Sequence, residues 1–138
     1  MLNSLRFPLV ETRDAWGSID AVPQLPLTLS YRNSVVKVSG LLDTGSSVNV
    51  LPYSVGIQLG AIWEELTTSV QLAGNLAPVE ARGLVISAQV SDLAPVRLVF
   101  AWSLKDDVPL LLGRMNFFQE FDMCFYQAQK AFELRPKL

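Results

Sequence analysis

From Pro23 onward the chain alternates in the manner of a β protein. Leu25, Leu27 and Leu29 are interleaved with Pro26, Thr28 and Ser30, a period of two that puts one row of side chains on a single face. Arg32-Asn33 supplies a turn, and Ser34 to Gly40 reads as the returning strand. Leu41-Leu42 then leads into Asp43-Thr44-Gly45-Ser46-Ser47, followed by a β-branched run, Val48 to Leu51. The segment Pro52 to Leu59 opens on proline and has Gly60 just beyond its end, the asymmetry of a short helix.

The second half continues the pattern. Ser69–Leu72 and Val79–Arg82 flank the turn-rich tip Ala73–Pro78, which predicts a hairpin whose second arm runs on to Val90. Pro95–Ser103 is a further strand, and Lys105-Asp106-Asp107 a solvated polar turn. Val108–Gly113 is almost wholly apolar, as in a strand buried on both faces. Arg114–Phe121 has helical spacing, with Met115, Phe118 and Phe121 on one side. Met123–Tyr126 and Ala131–Leu134 form a last hairpin around Gln127–Lys130. Residues 1–22 scatter Phe7, Val10, Trp16 and Ile19 among charges with no clean period, so a weakly structured arm or linker is expected there. The domain proper is expected over 23–138.

Composition narrows the chemistry. The chain has 138 residues, enough for one domain that buries roughly two-thirds of its unfolded surface. It has no histidine and one cysteine, which excludes a Ser-His-Asp triad, a Cys-His pair, an imidazole base, a His- or Cys-built zinc site and an internal disulfide. Carboxylates, hydroxyls, lysine and backbone remain; no metal and no cofactor is implied. Cys124 lies in an apolar strand without a basic neighbour and is expected to be buried and inert. Only 17% of residues are charged, against about 25% in an average domain. A buried subunit interface would account for the shortfall, and Phe117, Phe118, Phe121, Phe125 and Phe132 fit core or interface. Trp63-Glu64-Glu65 reads as a surface turn. Net charge is −2 with scattered bases, so nucleic acid is not an expected partner. No apolar stretch approaches the roughly 20 residues of a spanning helix, and no signal-peptide run opens the sequence. A cytoplasmic protein, or a soluble domain of a larger one, is expected.

One short string sits where chemistry needs it. Asp43 follows an apolar strand, a rigid platform for a carboxylate. Gly45 permits close backbone approach and can aim its N–H at that carboxylate. The hydroxyls of Thr44 and Ser46 can donate to it and hold its plane. Asp, Thr, Gly and Ser are also ordinary turn residues, so the string alone suits a polar turn equally well.

About seventy residues later comes Leu110-Leu111-Leu112-Gly113-Arg114, ahead of Asn116-Phe117-Phe118. In this pairing the chain resembles the retropepsin-like aspartic proteases, single-domain peptidases in which an apolar-apolar-Asp-Thr/Ser-Gly strand end is matched by an apolar-apolar-Gly-Arg segment before a short helix. The resemblance spans about Leu25 to Leu134. It implies an all-β, closed-barrel, acid-protease half with one or two short helices and a flap hairpin, working as a homodimer. It makes Asp43 the catalytic aspartate, with Thr44 locking the two active-site loops across the dimer and Gly45 beside the dyad. Ser46 belongs to the same supporting loop, Gly113 packs behind it, and Arg114 is the structural arginine. Ala73, Gly74, Asn75 and Leu76 form the substrate-binding flap tip. Many retroviral members carry an acidic residue two positions after the motif glycine, paired with that arginine; this chain has Ser47 there.

Peptide hydrolysis by this route takes two carboxyls, one as base toward water and one protonated as acid. Asp-Thr-Gly occurs once, so the resemblance implies that the second carboxyl is Asp43 of another copy. The expected function is aspartic endopeptidase on peptide or protein substrates. The alternative keeps the fold as a catalytically silent dimerisation or peptide-binding module.

Overall fold

The row formed by Leu25, Leu27 and Leu29 is buried and lines one wall of a closed barrel. The computed structural model describes residues 1–138. In chain order the strands are β1 (Leu5–Pro8), β2 (Val10–Arg13), β3 (Ile19–Val22), β4 (Gln24–Tyr31), β5 (Ser34–Leu42) and β6 (Asn49–Leu51). After helix α1 (Tyr53–Gln58) come β7 (Ala81–Gln89), β8 (Val96–Ser103) and β9 (Leu111–Leu112). Helix α2 (Phe117–Glu120), β10 (Phe121–Tyr126) and β11 (Ala131–Pro136) complete the chain.

The barrel order is β4-β5-β9-β6-β8-β7, closed by β7 returning to β4. β4 and β5 pair antiparallel from Gln24↔Leu41 to Tyr31↔Ser34, across the turn at Arg32-Asn33. β9 is inserted parallel to β5 (Leu41↔Leu111, Leu42↔Leu112) and antiparallel to β6 at Val50↔Leu111. This insertion brings the ends of two distant segments, 43–47 and 113–116, side by side.

The interior is aromatic and aliphatic. Phe100, Trp102, Ile86, Leu98, Leu51 and Leu112 are fully buried, each worth about 1.5–3 kcal/mol relative to exposure. Trp102 stacks on Tyr53 at 5.5 Å, meets Trp63 edge-on at 5.4 Å and donates its Nε1–H to the Tyr53 carbonyl at 3.0 Å. α1 can lie this close because Gly56 has no side chain; a Cβ there would stand 2.1 Å from the indole. A smaller cluster, Val50, Leu72, Ala81, Ala101, Val108 and Leu111, packs toward the side where Asp43 emerges.

Several expectations change. The first 22 residues contain three strands rather than a weakly structured arm: β1 pairs with β11 and the Phe7 ring stacks on Phe132 at 5.3 Å. β1, β11 and β10 form a three-stranded sheet, and β2 with β3 a separate hairpin. The partner of β1 lies at the far end of the sequence, so no local pattern announces it. Glu133 ties this sheet down, accepting from Ser4 Oγ at 2.6 Å, Arg6 at 2.8 Å and the Met1 amino group at 3.0 Å. The Ser4 hydroxyl first, then the amino group and Arg6, hold its carboxyl down to about 2.

The apolar run Val108–Gly113 keeps only Leu111–Leu112 as regular strand, although Val108 and Leu110 are also buried. The helix over Arg114–Phe121 contracts to α2, with Phe117 and Phe121 in the core and Met115 exposed, because the N–H groups of 114 and 115 are used for bonds to the Asp43 loop. The hairpin of 69–82 is loose: one bridge, Ser69↔Arg82, with flanking bonds Val70 N–H to Ala81 O and Gly83 N–H to Thr68 O. Its tip, Gly74–Leu76, is a 3-10 turn. Cys124 is half-buried rather than buried, since β10 is a sheet edge. The last hairpin, β10–β11, stands where the pattern puts it. No helix is long and apolar enough to cross a membrane.

Candidate active site

Asp43 leaves the barrel at the C-terminal end of β5, where its N–H donates to the Leu112 carbonyl at 3.0 Å. That bond continues the β5–β9 ladder and fixes the backbone beneath the carboxylate. Its side chain is half-buried. Gly45 N–H donates to Asp43 Oδ1 at 2.9 Å, and Ser46 N–H to the Asp43 carbonyl at 3.1 Å. A side chain at Gly45 would bring Cβ to 3.1 Å from that same Oδ1. The loop therefore orients the carboxylate with backbone. The expected hydroxyl clamp is not formed: Ser46 Oγ donates to the Val48 carbonyl at 2.7 Å, and Thr44 points out to solvent. Ser46 bends the loop back on itself instead of holding Asp43.

The second segment locks this loop from behind. Arg114 N–H donates to the Ser46 carbonyl at 2.9 Å, Met115 N–H to Ser47 O at 3.0 Å, and the Arg114 guanidinium to Thr44 O at 2.7 Å. Arg114 makes no ion pair; with Ser47 in place of an acid, its partner is a carbonyl. Gly113 is fully enclosed, and a Cβ there would come within 2.3 Å of Val48 O and 2.7 Å of Ser46 O.

A residue that the sequence reading passed over holds both segments. Asn49 is fully buried, accepting from Gly113 N–H at 2.8 Å and donating to Val99 O at 3.0 Å and Asn116 Oδ1 at 3.2 Å. Asn116 in turn accepts from Val99 N–H and donates to Arg97 O, both at 2.9 Å. The available signal was a lone amide in the apolar run Val48–Leu51, since a buried polar side chain needs partners.

Together these elements line a cleft of about 300 Å³. Asp43, Gly45, Ser46 and Arg114 border it from one side, Ala73, Gly74 and Leu76 from the other, over an apolar floor that includes Val50, Leu72 and Leu111. Thr44, Asn75 and Gly113 do not reach it; Gly113 lies behind the loop and Asn75 faces solvent. Asp43 is the sole carboxylate on the lining.

No family model matches the chain, and no curated protein matches it by sequence. Among solved structures, that of a retropepsin-like aspartic protease from Rickettsia conorii superposes with a TM-score of 0.58. The match covers 96% of this chain and 99% of that one, at 16% identity. The fold is retropepsin-like. At this identity the likeness extends to architecture, and the chemistry rests on the side chains. No cluster of His, Cys, Asp and Glu side chains of a size to hold a metal ion is present.

Proposed function

We propose that the chain is an aspartic endopeptidase whose active unit is a homodimer, with the Asp43 carboxylates of two copies meeting at a two-fold axis. The observation that carries this reading is a single, backbone-oriented carboxylate on the wall of a cleft, facing the turn at residues 73–76. One carboxylate is half of the acid–base set that peptide hydrolysis needs. The peptidase fold supports completing it with an identical second copy.

Two carboxyls at close range cannot both ionise, so the pair shares one proton and titrates as a unit. The ionised member takes a proton from water as its oxygen attacks the peptide carbonyl carbon, and the protonated member donates to the carbonyl oxygen. Collapse of the diol breaks the C–N bond, with the proton delivered to the leaving nitrogen. No further reagent enters this balance. Gly45 N–H holds Asp43 in plane throughout, and Gly113, Asn49 and Arg114 hold the loop. A substrate would lie extended between the floor and residues 73–76, bound through its main chain. Val50, Leu72, Leu76 and Leu111 favour an apolar side chain beside the scissile bond. Opening of the tip would gate access.

The test is Asp43→Asn assayed on an unfolded protein from acidic to neutral pH. Cleavage is expected to fall at least about 10³-fold with unchanged thermal unfolding. Cleavage at the wild-type rate would overturn the assignment.

A further inference from the structure

The β2–β3 hairpin is unsupported by its own chain. Every residue of β2 is exposed, as are Ile19 and Asp20 of β3. A lone two-stranded ribbon is marginal in water, yet this one is carefully built. Asp14 Oδ1 accepts from Trp16 N–H and Ser18 N–H, both at 2.9 Å, and the Arg13 guanidinium donates to Gly17 O at 2.9 Å. Gly17 adopts φ +79°, which closes the turn. These bonds order the turn that carries Trp16, whose indole stands 91% exposed, with Ile19 57% exposed on β3. Tryptophan is the residue most enriched among interface anchors, and pre-ordering an anchor lowers the cost of binding.

The position of the root says what the hairpin meets. β3 ends at Val22, and the next residue, Pro23, accepts the N–H of Leu42, the neighbour of Asp43. The hairpin thus rises beside the proposed two-fold axis and reaches about 14 Å from its root, at about 3.4 Å per strand residue. Its charge also points to a target. Glu11, Asp14 and Asp20 against Arg13 give it the chain's entire net charge of −2. Around the back of the Asp43 loop lies the complement: Met115 and Val99 are 55% and 43% exposed, flanked by Arg97 and Arg114. Asn116 binds this corner together, and neither arginine has a carboxylate partner.

We propose that the β2–β3 hairpin is a clasp on a second copy of this chain, with Trp16 seated on the partner's Val99–Met115 patch and the hairpin's acids toward its two arginines. The inference rests on the homodimer reading. Two-fold symmetry forms the contact twice, so one substitution removes both.

The dimer dissociation constant is measured by sedimentation equilibrium for the wild type, Trp16→Ala on the clasp and Val99→Lys on the seat. Both sites are exposed and away from the core, and circular dichroism checks that each variant folds. Both substitutions are expected to weaken the dimer at least about tenfold. A Glu11→Lys/Asp20→Lys chain is expected to weaken it as well, with a reduced salt dependence. A dimer whose affinity is unchanged in Trp16→Ala overturns the clasp while leaving the homodimer intact. Weakening by Trp16→Ala but not by Val99→Lys overturns the seat. A raised KM at unchanged dimer affinity would make the hairpin a substrate contact and overturn the inference. A wild-type chain that stays monomeric at every concentration overturns the homodimer reading and the clasp with it.

Discussion

Replacing Asn49 with alanine tests how the two site loops are joined. The side chain has no solvent access and makes three hydrogen bonds, to Gly113 N–H, Val99 O and Asn116 Oδ1. Truncation leaves the buried Gly113 N–H without a partner, which costs about 1–3 kcal/mol. The lost bonds to Val99 and Asn116 add about 1 kcal/mol more, because Asn116 keeps its bonds to Val99 N–H and Arg97 O. The sum is about 3 kcal/mol. For a domain of this size that is a fall in Tm on the order of 12 °C, at about 4 °C per kcal/mol. The assay is equilibrium urea unfolding at fixed protein concentration, with kcat measured well below the transition. Asn49→Asp is the companion. It keeps an acceptor for Gly113 but turns an anion toward two oxygens, so it is expected to be worse than alanine at neutral pH. Burial raises such a carboxyl's pKa, so that variant gains stability as pH falls. A loss below about 1 kcal/mol for Asn49→Ala, at unchanged m, would refute the claim that this amide joins the loops.

Other substitutions separate packing from chemistry. Gly113→Ala is expected to cost about 3 kcal/mol or more, since its Cβ would meet two carbonyls already committed to Ser46 Oγ and Arg114 N–H; thermal unfolding reads it directly. Gly45→Ala is expected to stay within about 0.5 kcal/mol of wild type in unfolding while lowering kcat at least about tenfold, because the new methyl displaces only Asp43 Oδ1. Glu133, held down to about 2 by Ser4, the amino group and Arg6, stabilises the terminal sheet above its ordinary value of 4.5 and loses that contribution as pH falls toward 2. The stability gap between wild type and Glu133→Gln is therefore expected to be full at neutral pH and to close on acidification; a gap that widens would contradict the assignment.

Local pattern shows individual strands well where they pair with near neighbours. The alternation of Leu25, Leu27 and Leu29 and the turn at Arg32-Asn33 determine β4 and β5, register included. Asp43 drew notice through the string Asp43-Thr44-Gly45-Ser46 at a strand end, and Gly113-Arg114 through the resemblance that pairs the two segments; the fold sets them side by side. What escaped depends on partners remote in sequence. β1 is a strand through β11, more than a hundred residues away, and the lone amide of Asn49 has meaning only once Gly113 and Asn116 stand beside it. The helical spacing of 114–121 overstates the helix because backbone bonds to Ser46 and Ser47 outcompete helical ones. The residue types alone place the hydroxyls of Thr44 and Ser46 on Asp43; in the fold the Val48 carbonyl takes one, and Thr44 faces out.

The central claim is that one active site is made from Asp43 of two chains, and subunit mixing tests it most directly. Wild-type and Asp43→Asn chains are combined in varying ratio at constant total concentration, allowed to exchange, and assayed for cleavage. If both carboxyls are needed, activity follows the square of the wild-type fraction, and an equal mixture retains about a quarter of it. Activity in simple proportion to the wild-type fraction, about half in the equal mixture, would place a complete site within one chain and contradict the account.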